Sequence, residues 1–194
     1  MKKLKYITLI VIFLIFSFHL LFSKELGVRI VDKKLNGKEL YTTLLIEGNF
    51  SYDTIDAIKN GITARVYITV QLLRSGGFLN FGQGTISEKS VYFTINYDVW
   101  DNNFIIKSKK LKSNIKTNNP AEIVRIIEKN INPLTLPLKS LSNKNKLIVR
   151  SKIEIQTIKL YPPFGIFLYF FDPWNYESKW KYSEPFSVKG IKKG

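Results

Sequence analysis

Between residues 62 and 74, apolar and polar side chains alternate. Ile62, Ala64, Val66, Ile68, Val70 and Leu72 fall on one side, and Thr63, Arg65, Tyr67, Thr69 and Gln71 on the other. Successive side chains of a strand point to opposite faces, so a period of two predicts a sheet with one dry and one wet side. Residues 90–100 repeat the pattern, with Val91, Phe93, Ile95, Tyr97 and Val99 expected inward. Residues 147–158 repeat it again, with Leu147, Val149, Ile153 and Ile155 inward and Arg150, Lys152, Glu154 and Gln156 outward. Shorter alternations cover Leu26, Val28 and Ile30, and then Leu40, Thr42, Leu44 and Ile46; the Asn36-Gly37 pair between them is a hairpin signal. Asp101-Asn102-Asn103 turns the chain back into a strand over residues 104–107.

Two stretches have the helical period instead. Residues 53–60 predict a short helix capped by Asp53 and stopped by Gly61, with Ile55, Ala57 and Ile58 inward. Asn119-Pro120 opens a second, with Ile123, Ile126 and Ile127 as its apolar stripe and its end before Pro133. Pro133 and Pro137 predict an extended connection. Residues 178–182 are a candidate closing strand. Strands, hairpin turns and two short helices predict a mainly β fold, an antiparallel β-sandwich or half-open barrel, in one domain over residues 24–194.

The N-terminal 23 residues stand apart. Lys2, Lys3 and Lys5 precede an almost wholly apolar run over residues 6–22, and no acid occurs before Glu25. A basic start followed by an apolar stretch is what an export machinery reads, either as a cleaved signal peptide or as a retained anchor. Ser23 fits a cleavage site, whereas the bulky Leu21 fits it poorly. Either way, residues 24–194 are expected outside the cytoplasm, in the periplasm or cell envelope.

Composition narrows the chemistry. The chain has no cysteine, and its single histidine, His19, lies inside the apolar run. An exported domain without it has no imidazole and no thiol, which argues against histidine triads, thiol nucleophiles and zinc sites with N or S ligands. Of the carboxylates, Asp98 and Asp101 flank a turn and Asp172 precedes a proline; turn capping is their expected role. The Gly-rich stretch 75–84 lacks the Gly-Lys-Ser/Thr ending of a phosphate loop. The net charge of +15 accompanies abundant Lys, Ile, Asn and Phe. Lysine is then the default solvating residue, and export removes most nucleic-acid partners, so no nucleic acid is expected. No cofactor and no metal are expected either.

Two surfaces remain as candidates. Ten of the 22 residues from Tyr161 to Tyr182 are aromatic, a density that suits either core filling or a partner or membrane-interface patch. Phe167, Tyr169, Phe170, Phe171, Trp174 and Trp180 carry that patch. The run over residues 166–171 is expected to be buried. Lys107, Lys109, Lys110, Lys112 and Lys116 fall within ten residues, and they are either a solvated loop or contacts to an anionic envelope surface.

Three motifs resemble a family of exported bacterial proteins, domain of unknown function 4390. They are Ile58-Lys59-Asn60-Gly61-Ile62 leading into the long strand, Ile95-Asn96-Tyr97-Asp98-Val99-Trp100 with Asn103-Phe104, and Asp172-Pro173-Trp174 through Glu177-Ser178-Lys179-Trp180. The resemblance spans roughly residues 52–188 and implies export and a fold rather than a reaction. The expected function is a non-enzymatic envelope protein that binds or scaffolds another envelope component. The alternative is a module holding a lipid or other apolar ligand between its sheets, and a carboxylate hydrolase stands behind both.

Overall fold

A computed structural model describes residues 26–75, 84–138, 146–158 and 175–187. In chain order the elements are β1 (Gly27–Asn36), β2 (Glu39–Glu47), α1 (Tyr52–Lys59), β3 (Thr63–Arg74), β4 (Thr85–Asp98), β5 (Asn103–Lys107), β6 (Ile115–Thr117), α2 (Pro120–Ile131), β7 (Leu134–Pro137), β8 (Lys146–Ile158), β9 (Tyr176–Glu177), β10 (Lys181–Tyr182) and β11 (Phe186–Ser187).

The three long alternating stretches are β3, β4 and β8, and they are neighbours. The larger sheet runs β10-β8-β3-β4-β5-β6, with β9 and β11 also pairing with β8. All its pairings are antiparallel. Its inner face is the predicted apolar set: Ala64, Val66, Ile68, Val70, Phe93, Ile95, Leu147 and Val149 are fully buried. Over that face lies a second sheet, β1-β2-β7, with β1 crossing β8 and β7 reaching β4. The helices cover the rest, α1 against β4 and α2 against β5 and β6. Ile123, Ile127 and Ile131 form the buried stripe of α2, so the helical period points into the same core as the strand period. The sheets are antiparallel and not closed into a barrel.

Side chains complete the ladders where strands stop. Beyond β7, Asn132 takes over the edge of β2: its Oδ1 accepts from Leu44 N and its Nδ2 donates to Leu44 O, both at 2.8 Å. Glu128 then accepts from Ile46 N at 2.8 Å. On the far edge of β8, the chain from Tyr176 to Ser187 runs as one interrupted strand. Glu154 opposes Glu177, Ser151 opposes Lys181, and Leu147 opposes Phe186, so the outer chain carries an extra residue at each interruption. Serines sit at both bulges. Ser178 N donates to Ile153 O and Ser178 Oγ accepts from Ile153 N; Ser183 does the same for Val149. Bulges of this kind twist an edge and discourage pairing with another chain.

Several expectations change. Ser51, not Asp53, caps α1, its Oγ accepting from Thr54 N at 3.1 Å. Val99 lies in the β4–β5 turn and is exposed, because β4 ends at Asp98 and the alternation has no partner beyond it. The proline-flanked connection is strand β7, and the lysine run leads into strand β6. The aromatic run 166–171, expected to be buried, lies outside the described residues, as does the N-terminal segment 1–25.

Candidate functional site

All described layers pack on the inner face of the larger sheet, which leaves its outer face to solvent. β3 supplies the central row. Arg65 lies between Thr94 and Gln156, Tyr67 between Tyr92 and Glu154, Thr69 between Ser90 and Lys152, and Gln71 between Glu88 and Arg150. Lys107 extends the first of these rows through its pairing with Thr94. These positions are outward because the sheet period puts them opposite the buried set.

The rings on this face are ordered by cations. Tyr67 and Tyr92 pair across strands with centroids 5.7 Å apart, and the Arg65 guanidinium lies 5.8 Å from the Tyr92 ring. Trp180, in the first interruption of the edge strand, is covered by the Arg150 guanidinium at 4.3 Å and the Lys152 ammonium at 5.2 Å. Arg150 also donates to Gln71 Oε1 at 2.8 Å and to the Tyr182 hydroxyl at 3.2 Å. Lys152 bonds Glu177 and lies 3.7 Å from Glu154. The hydrogen bond to Glu177 raises the lysine pKa above its ordinary value, against an opposing pull from desolvation. Lys152 is thus paired with Glu154 and Glu177, whereas the Arg65 and Arg150 guanidiniums lie against rings, and Glu88 accepts from Gln71. The face offers aromatic planes and fixed hydrogen-bonding groups.

Of the aromatic residues singled out in the sequence, Trp180 belongs to this face. Phe167, Tyr169, Phe170, Phe171 and Trp174 lie outside the described residues. The lysines divide by role. Lys110 donates to the Ile131 carbonyl at the end of α2, at 2.8 Å. Burial lowers its pKa, and the charge of Lys89 adds to the effect. Lys116 pairs with Asp101 at 2.7 Å, and that hydrogen bond raises its pKa. Lys107, Lys109 and Lys112 are exposed. The carboxylates considered for catalysis are similarly occupied: Asp98 accepts from the turn amides of Trp100 and Asp101, and Asp101 holds Lys116. Among the described residues no group of three or more acidic side chains is placed to hold a metal.

Arg65, Tyr67, Tyr92, Arg150 and Lys152 were legible as outward positions but not as one surface. The signal was in the alternation; what it lacked was the register that aligns β8, β3 and β4. A separate open hollow of about 410 Å³ lies on the smaller sheet, lined by Lys34, Asn36, Tyr41, Thr43, Asn132 and Pro133.

The family model for domain of unknown function 4390 matches residues 24–183. The chain belongs to the DUF4390 family. The match begins well before the motifs quoted above and takes in β1 and β2, so the smaller sheet is part of the DUF4390 domain. It ends at Ser183, the second bulge serine, leaving only β11 of the described elements outside. No curated protein and no solved structure matches the chain at a significant level. Among the described residues of this DUF4390 protein, no helix is long and apolar enough to cross a membrane.

Proposed function

We propose that this DUF4390 domain is exported and works without catalysis, as a half-open β-sandwich that docks another component of the cell envelope on its outer sheet face. The observation that carries the reading is the cluster of Trp180, Tyr182, Tyr67, Tyr92, Arg65 and Arg150, with ring and guanidinium contacts across three strands and the edge. Trp, Tyr and Arg dominate the energetics of protein interfaces because they combine a large contact area with a polar handle. A protein surface is therefore the partner we favour for this face, with Lys107, Lys109 and Lys112 supplying contacts to any anionic envelope surface at its margin. Non-catalytic action is supported by the missing thiol, by the placement of His19 in the apolar leader and by the engaged carboxylates. The apolar-ligand reading has less support, since the protein's own side chains fill the inner face.

Site-specific photo-crosslinking in the source cell tests the docking face. Crosslinkers at Thr69 and Tyr92 should yield one common adduct of defined mass, and a crosslinker at Asn36 on the other sheet should not. Arg150→Ala combined with Trp180→Ala should abolish the adduct. Adducts at all positions, or at none, would remove the proposal. Export has its own test: a reporter active only outside the cytoplasm, fused after Gly194, should be active. Turnover in a hydrolase panel that disappears in Asp98→Ala would replace docking with carboxylate chemistry.

A further inference from the structure

The β4–β5 turn holds two apolar side chains away from the domain. Val99 is 64% exposed and Trp100 95% exposed. The turn is tied down. Asp98 Oδ1 accepts from Trp100 N at 3.1 Å and from Asp101 N at 3.3 Å, and Asn103 Nδ2 donates to Asp101 O at 2.8 Å. Tyr97 donates to Asn102 Oδ1 at 3.3 Å, with Asn102 in the left-handed region at φ +51°. Lys116 closes the arrangement on Asp101. An indole presented this way adds almost nothing to the core. An apolar body with one N–H donor is the side chain that concentrates at membrane–water interfaces.

The topology adds an independent observation. Thr63 pairs with Ile158, Ala64 with Ile95, and Asp98 with Asn103. The start of β3, the turn and the end of β8 therefore share one pole of the domain. β9 begins there, with Tyr176 opposite Ile155 and Asn175 accepting from Thr157 N. β1 begins there too, since the Tyr176 hydroxyl donates to Leu26 O at 2.6 Å. In the sequence only residues 23–25 separate the apolar run 6–22 from Leu26. Ile158 and Asn175, the described residues on either side of the aromatic stretch, both lie at this pole. At the other end of the domain, the β1–β2 turn carries Gly37 and the exposed Lys38.

We propose that the pole marked by Val99 and Trp100 docks on a lipid bilayer, with both side chains seated at headgroup depth. Lys116 neutralises Asp101 beside the tip, which lowers the cost of bringing this turn to an anionic headgroup layer. The engaged Asp98 and Asp101 carboxylates keep the tip at the interface rather than in the hydrocarbon. The earlier reading of export matters here only for which membrane is met. The outer face lies along the side of the same sheet, so a pole seated on lipid leaves it open to a partner.

The absence of cysteine makes the test clean. Full-length chain carrying Val99→Cys, or Lys38→Cys as the distal control, is labelled with a polarity-sensitive fluorophore. It is then reconstituted into phosphatidylethanolamine–phosphatidylglycerol vesicles containing shallow spin-labelled lipid, with circular dichroism as the check of folding. The label at position 99 should shift to the blue and be quenched, and the label at position 38 should keep its aqueous spectrum. Adding Trp100→Ala should return the position-99 emission to the aqueous value, a loss that mere tethering through the N-terminal segment would not produce. An aqueous spectrum at position 99 in these vesicles, or equal quenching at both positions, overturns the proposal. A label that is dry in native membranes but wet in pure lipid assigns the tip to a protein partner and overturns it as well. Crosslinking from the outer face does not involve Trp100, so either proposal can fail alone.

Discussion

At the scale of single residues, the side chains that decide most are small and polar. Ser178 is buried and satisfies both the N–H and the C=O of Ile153 at a bulge. Removing its hydroxyl leaves a buried amide without a partner, which costs more than the net worth of an ordinary hydrogen bond. Ser178→Ala should therefore lower the unfolding free energy by about 1–3 kcal/mol, read from the urea midpoint. Ser183→Ala should cost less, because Ser183 is half-buried and water can replace it. Equal effects would show that solvent reaches both bulges. None of this was visible in the chain, where both serines sit among lysines and aromatics. Val99 and Asp53 carry the same lesson in reverse. Each fits its local pattern, yet the strand stops at Asp98 for want of a partner, and Ser51 is the residue positioned to cap α1.

At the scale of elements, the C-terminal edge is the most consequential. β8 is interior only because the short pieces β9, β10 and β11 lie along its outer side. Its exposed ladder would otherwise be a long template for pairing with another chain. A chain stopped after Asn175 should accordingly self-associate, eluting from size exclusion as oligomers or aggregate. A monodisperse monomer with the full-length melting temperature would show that the edge needs no cover. The long strands were legible because alternation over a dozen residues is a strong local signal. β6, β7, β9 and β11 were not, since strands of two to four residues contain too few positions to define a period; of the closing strand expected over residues 178–182, only Lys181–Tyr182 pairs, as β10. They exist because Phe104, Leu40 and Ile155 offer them a ladder.

At the scale of the whole molecule, one core joins both sheets and α2, and the exposed tip stands outside it. Phe93 is fully buried at the centre, so Phe93→Ala should cost about 3–5 kcal/mol, a large part of a typical domain's stability. Trp100→Ala should change stability by no more than about 0.5 kcal/mol. Thermal unfolding of the two variants checks both, and a marked loss from Trp100→Ala would mean that the indole serves the fold. Local pattern alone yielded the β class, the inward and outward sets of the long strands and the position of α2, and it marked the basic start and apolar run of residues 1–22. These are local properties, written as periods and caps over neighbouring residues. Only the tertiary structure decided that Arg65, Tyr67, Tyr92, Arg150 and Trp180 form one surface, and that Leu26, Trp100, Ile158 and Tyr176 meet at one pole. Such groupings depend on register and strand order between segments as much as 150 residues apart, and no local pattern encodes them.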